Sequence, residues 1–236
     1  MGLPKIDQPL FNLTVPSTGQ EITFRPFTVK EEKILLIARE SQELEQIIVA
    51  VKQIIGNTCQ GVDVEDLAVF DLEYMLIKIR AKSINNQVNF TIPDPDTEEE
   101  IELKIDLDDI QMLHNDEHTK KIVLNDQYYM MMRYPTIDEI TKLVPQEGES
   151  QEQALFDTMI ACIDTLVDDT SDEVYNFGEF SEEEVTEFVD QFTAGTITDI
   201  TKFFETAPKM SYEAPYKDSK GNDKTFRMEG LETFFT

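Results

Sequence analysis

The sequence predicts an α+β protein, mainly helical, with a small central antiparallel sheet and a β-hairpin near each end. Three observations carry this. Apolar residues recur at i, i+3, i+4 and i+7 in several segments, the period changes to two between Asn86 and Leu107, and tight polar turns at Pro16–Gly19 and Ser219–Asn222 interrupt alternating runs.

The first hairpin is expected where Leu13 and Val15 alternate on one side of Pro16-Ser17-Thr18-Gly19 and Ile22 and Phe24 on the other. Thr28 then opens a helix over about Val29 to Glu40. Thr28 and Glu31 have capping-box spacing, in which the hydroxyl accepts an amide and the carboxylate reaches back. A second helix is expected with Ser41 as its cap, carrying Leu44, Ile47, Ile48, Val51, Ile54 and Ile55 on one face. Gly56 and Asn57 would terminate it. A third, Leu72 to Lys82, places Leu72, Met75, Leu76 and Ile79 on one face.

In the middle of the chain Val88, Phe90 and Ile92 alternate, Asp94-Pro95-Asp96-Thr97 turns, and Ile101, Leu103, Ile105 and Leu107 alternate back. Two more strands, Lys121–Leu124 and Tyr128–Tyr134, flank Asn125-Asp126, and Pro135 ends the sheet because it has no amide to donate. After the loop-like Pro145–Ser150, Ser150 and Gln153 are spaced to cap a helix with Leu155, Met159, Cys162, Ile163 and Leu166 inward. Ser181 and Glu184 open another, with Phe180 placed to staple onto Val185. Ile197–Glu205 makes a last short helix before Pro208. The final hairpin pairs Met210–Tyr216 with Lys224–Met228. The segments group as 1–83, 84–136 and 137–236, packed as one body.

At 236 residues and 40% hydrophobic the chain is long enough for a substantial core. Its 48 acidic and 20 basic residues give a formal charge of −28, which argues against nucleic acid or anionic membrane as partner, since phosphate contacts need a basic footprint. The charge reads first as a well-solvated acidic surface, and more sharply as one that pairs with basic patches on a protein partner. DNA mimicry is the weaker alternative, because nothing arranges the carboxylates in a regular ladder. No run approaches the roughly 20 apolar residues of a spanning helix, and the first residues lack the apolar core of a signal peptide. Cys59 and Cys162 form no disulfide framework, which suits a reducing cytoplasm.

Chemistry-bearing patterns are few. His114-Asn115-Asp116-Glu117-His118 matches H-x-x-E-H, but that zinc pattern needs a helix holding both imidazoles on one face, and here it falls between predicted strands. Asp94 to Glu98 lacks the glycine and distal glutamate of a calcium loop, and no phosphate-cradling or nucleophile-elbow motif occurs. No catalytic, metal or cofactor residue is therefore assigned. Two apolar features are candidate partner-binding elements. Tyr128-Tyr129-Met130-Met131-Met132 puts large side chains on both faces of one strand, so Tyr128, Tyr129 and Met131 either join a core or meet a partner. Leu231, Phe234 and Phe235 are either a plug for the protein's own core or an anchor in another subunit.

Pro16–Ser41, Phe70–Ser83 (FDLEYMLIKIRAKS), Ile105–Ile110 (IDLDDI), Pro208–Met210 (PKM) and Glu229–Phe235 (EGLETFF) together resemble the T4-type bacteriophage baseplate hub family over nearly the whole chain. The resemblance implies a non-enzymatic protein needed to build the central hub of a contractile tail. It would contact other hub or tail proteins, in the virion baseplate or in the host cytoplasm during assembly. A transient assembly chaperone is the alternative, and a zinc hydrolase centred on His114, Glu117 and His118 the remote one.

Overall fold

The computed structural model describes residues 6–41, 43–93, 97, 100–141 and 150–229. Strand β1 (Phe11–Thr14) pairs antiparallel with β2 (Glu21–Phe24), from Phe11↔Phe24 to Thr14↔Glu21. The turn closes on Val15, whose amide donates to the Gln20 carbonyl (2.9 Å) and whose carbonyl accepts from the Gly19 amide (2.8 Å). Gly19 sits at φ 71°, a left-handed value that costs glycine nothing sterically. Alternation then buries Ile22 and Phe24.

Helix α1 (Val29–Ser41) begins as its capping residues dictate: the Thr28 amide and hydroxyl donate to Glu31 Oε2 at 2.8 and 2.5 Å. Arg25 adds a hydrogen bond to Glu31 Oε1 at 3.0 Å, and Glu31 is only 3% exposed. Burial by itself raises this carboxyl, but the Arg25 and Thr28 hydrogen bonds outweigh it and hold the pKa at about 2. A carboxyl depressed on folding stabilises the protein above its ordinary value of 4.5 and loses that contribution as the pH falls toward 2. Glu31→Gln should therefore cost about 2–3 kcal/mol at neutral pH, with the gap to wild type closing below about pH 4 in urea denaturation. A gap independent of pH would mean that charge plays no part.

Helix α2 (Leu44–Thr58) departs from expectation at both ends. Ser41 is the last residue of α1, donating to the Ala38 carbonyl (2.7 Å) and accepting from the Glu43 amide (3.2 Å), so Glu43 and not Ser41 stands at the α2 N-cap. Gly56 and Asn57 lie inside the helix. A Cβ at Gly56 would meet Val64 only at 3.6 Å, so nothing there forces a stop. The chain instead leaves the helix where β3 (Cys59–Gln60) pairs with β2. Ala50, Val51, Ile54 and Ile55 form the buried stripe.

Helix α3 (Val69–Ser83) starts three residues earlier than its periodicity suggests, because Asp71 caps it: the Ala68 amide donates to Asp71 Oδ2 at 3.1 Å. The other carboxylate oxygen accepts the Ser17 amide of the β1–β2 turn at 2.8 Å, and Asp71 is fully buried. Strands β4 (Gln87–Pro93) and β5 (Glu100–Asp106) form the expected hairpin, from Gln87↔Asp106 to Pro93↔Glu100. Residues 94–96 of its turn lie outside the described residues. The short strand β6 (Gln111–Leu113) follows.

Residues His114–Ala207 form a separate compact unit. It contains β7 (Lys121–Val123), β8 (Tyr128–Met132), α4 (Ile137–Thr141), α5 (Gln151–Ala161), β9 (Ile163–Asp168) and β10 (Glu173–Asn176). A 3-10 turn (Phe177–Glu179), α6 (Glu182–Val189) and α7 (Ala194–Glu205) complete it. Its four strands make an antiparallel sheet in the order β10-β9-β8-β7. The helix expected to reach Leu166 ends at Ala161; Ile163 and Leu166 lie on β9, and Leu155, expected inward, is exposed. Asp168 closes the β9–β10 hairpin, accepting from the Thr170 amide (2.8 Å) and hydroxyl (2.6 Å) and from the Gln127 amide group (2.9 Å). The strands expected as one central sheet thus belong to two: β4–β5 stand as a pair, and β7–β8 join β9–β10.

From Pro208 the chain belongs to the first unit again. Strand β11 (Lys209–Lys217) pairs with β12 (Asp223–Glu229) as the expected C-terminal hairpin, and with β6 through Lys209↔Leu113 to Ser211↔Gln111. Ile77, Ala81, Ile105, Leu107, Ile110 and Met210 bury one another in this unit's core. The architecture is α+β, helices with small antiparallel sheets.

Candidate protein-binding site

Strand β8 splits its large side chains between the two faces of the four-stranded sheet. Met130 and Met132 are buried with Ile122, Ile163, Ile200 and Phe203 in the unit's core, beneath the helices. Tyr129 and Met131 point the other way and are half-buried. The register aligns Val123, Tyr129, Val167 and Val174 in one cross-strand row and Lys121, Met131, Thr165 and Asn176 in the next. The ends of the apolar row, Val123 and Val174, are exposed, and the Lys121 ammonium sits 3.6 Å from the Tyr129 ring centroid.

Tyr128 shares the core face but stands at its edge, where a groove of about 690 Å³ opens between the sheet and α6. One wall is Leu124, Tyr128, Leu166 and Tyr175; the other is Phe177, Phe180, Val185, Phe188 and Phe192. The groove exists because α6 is short and amphipathic. Val189 is buried, Val185 and Phe188 are half-buried, and Glu182, Glu183, Glu184 and Glu187 face solvent. The capping box fixes where the helix starts: the Ser181 amide and hydroxyl donate to Glu184 Oε2 at 2.9 and 2.8 Å, and the Glu184 amide returns to Ser181 Oγ at 3.3 Å. Phe180 and Val185, the expected staple pair, both line the groove, and Phe180 remains 41% exposed.

Polar groups along the groove are already engaged within the protein. Asn125 Oδ1 accepts from the Gln127 and Tyr128 amides, Gln191 donates to the Glu187 carbonyl, and Thr193 accepts from the Thr196 amide. At the rim the Tyr175 hydroxyl donates to Glu173 at 2.7 Å. From Ser150 to Thr201 the sequence contains fourteen Asp and Glu and no Lys, Arg or His. An apolar cleft is therefore set in a stretch of chain with one sign of charge.

The H-x-x-E-H segment lies in a turn whose first four residues are exposed, and His118 alone packs into the unit. Thr206 donates its hydroxyl to the Lys202 carbonyl (2.6 Å), so it accepts from His118 Nδ1 (2.9 Å), and Nε2 is left to accept from the Tyr134 hydroxyl (2.8 Å). Burial, then Lys120 and His114, keep His118 below its ordinary pKa and hence neutral. Its ring stacks on Tyr134 and Phe203 at 5.7 and 5.2 Å. Glu117 pairs with Lys202 at 2.8 Å. Among the described residues no group of three or more His, Cys, Asp or Glu is placed to hold a metal ion. Cys59 and Cys162 are free and buried, and burial pushes their thiols up to about 11 and about 12, which makes them packing groups rather than nucleophiles.

Of the residues singled out in the sequence, Tyr128 lines the groove, and Tyr129 and Met131 lie half-buried on the opposite face of the sheet. Leu231, Phe234 and Phe235 lie outside the described residues. Sequence reasoning missed Phe177, Phe188 and Phe192. Their signal was the aromatic spacing across Phe177, Phe180, Phe188 and Phe192 within a segment without cations. No helix among the described residues is long and apolar enough to cross a membrane. No curated protein and no solved structure gives a match. The family model described as T4 bacteriophage base plate protein matches residues 8–236, which takes in both compact units. The chain belongs to the T4 bacteriophage base plate protein family.

Proposed function

We propose that this protein is a non-enzymatic structural or assembly component of the central hub of a contractile-tail baseplate, acting through protein–protein contacts. The observation that supports this reading is the family match running through both units. The geometry agrees with it. His118 and Asp168 are engaged in packing and in a turn, while the aromatic groove and the exposed ends of the apolar row on the sheet, Val123 and Val174, are features of the kind that bind other proteins. Partners are other baseplate or tail proteins with basic surfaces, met in the virion tail or in the host cytoplasm during assembly. A formal charge of −28 argues against nucleic acid and anionic membrane as partners.

Electrostatic steering of this strength is screened over about 8 Å at physiological salt, so the rate of association with isolated hub proteins should fall steeply as salt is added. Stopped-flow association across a salt series checks it. A rate unchanged from low to high salt would show that the acidic surface serves solubility alone and that the contact is apolar.

A further inference from the structure

Resting on the reading just given, we propose that the groove between the sheet and α6 receives a basic amphipathic segment of a partner protein, its apolar side chains seated among Tyr128, Leu166, Phe177, Phe180, Phe188 and Phe192. Shape, polarity and charge each narrow the occupant. The volume, about 690 Å³, accommodates several side chains and falls in the range of recognition clefts. The lining is mostly aromatic, and its Asn, Gln and Thr groups are satisfied internally, so the occupant's inserted portion must be apolar and owes no hydrogen bonds there. Charge fixes what surrounds that portion. With fourteen carboxylates and no cation from Ser150 to Thr201, and with Glu173 and Glu184 at the groove itself, lysines and arginines on the occupant are attracted and carboxylates are repelled. A second copy of this chain, at −28, is the wrong partner for the same reason.

An apolar stripe flanked by cations is the pattern of an amphipathic helix laid into a groove, where anchors at i, i+3, i+4 and i+7 give affinity and flanking charge gives rate and specificity. Phe180, on the rim and partly exposed, is the side chain best placed to close over such anchors.

The protein contains no tryptophan, so Phe180→Trp installs a single fluorescent reporter in the groove of the full chain. The probes are three synthetic helical peptides of equal length: one with Leu and Phe on one face and Lys on the other, one with the apolar residues replaced by Ser, and one with Lys replaced by Glu. The first should bind at least about tenfold more tightly than either control and shift the tryptophan emission to the blue. Phe180→Ser should weaken it about tenfold or more, the loss expected when one aromatic leaves a buried contact, while Val174→Ser on the opposite sheet face leaves it unchanged. The inference is overturned if the Ser-substituted peptide binds as tightly as the amphipathic one, or if Phe180→Ser binds normally and the Phe180→Trp emission stays fixed. Recovery of the wild-type chain in purified tails and in hub intermediates is scored separately. Presence in either with a silent groove removes this inference alone, whereas absence from both removes the reading beneath it.

Discussion

Phe203→Ala should destabilise the 114–207 unit by about 3–5 kcal/mol, the cost of truncating a buried phenylalanine where neighbours cannot collapse into the space. Phe203 is 2% exposed and lies within 5.4 Å, centroid to centroid, of the His118, Tyr134 and Phe204 rings. Such aromatic pairs add to the area term. The loss reaches the groove as well as the core, because the same cluster packs against Leu124, Leu166, Phe177, Val185, Phe188 and Phe192, which are the groove's walls. Urea denaturation measures the effect, and Phe203→Leu, which keeps most of the volume, should recover over half of it. A midpoint unmoved by the alanine substitution would show that the stack does not organise this core.

Asp71→Ala should cost a comparable amount, about 3–5 kcal/mol, in the other unit, since it strands two amides that each donate to a charged, buried acceptor. Those are Ala68 at the start of α3 and Ser17 in the β1–β2 turn, fifty-four residues apart in sequence from Asp71 in the second case. One carboxylate therefore serves as both helix cap and tertiary tie. Asp71→Asn should be intermediate, because its carbonyl can accept one amide while its NH₂ faces the other donor. Equal stability of Asp71→Asn and wild type would show that the charge contributes nothing.

The elements that were legible in the sequence are those whose signals are local. The hairpins β1–β2, β4–β5 and β11–β12 alternate on either side of a turn, and α1, α5 and α6 carry capping residues at their starts that the structure uses. The misses have a common cause in non-local pairing. Strands β3 and β6 are two and three residues long and become strands only by meeting β2 and β11. Strand β9 was hidden because Met159, Cys162, Ile163 and Leu166 continue a helical spacing, although Ile163, Thr165 and Val167 favour a strand. Its place is decided by β8 on one side and β10 on the other. The site was half legible for the same reason. Tyr128, Tyr129 and Met131 could be assigned to a strand, but which face was open depended on where α6 and α7 packed. Of the groove's phenylalanines only Phe188 lies in α6, while Phe177 belongs to the 3-10 turn and Phe180 and Phe192 to the segments on either side of the helix; only the fold gathers them against the sheet.

The central claim, that this member of the family works within the baseplate hub by protein contact, is tested most directly by quantitative mass spectrometry of purified tails and of hub intermediates from infected cells. The account predicts the chain in the hub fraction in fixed proportion to a protein with a basic surface, with the two separating as salt is raised. Absence from both the mature tails and every hub intermediate would contradict it.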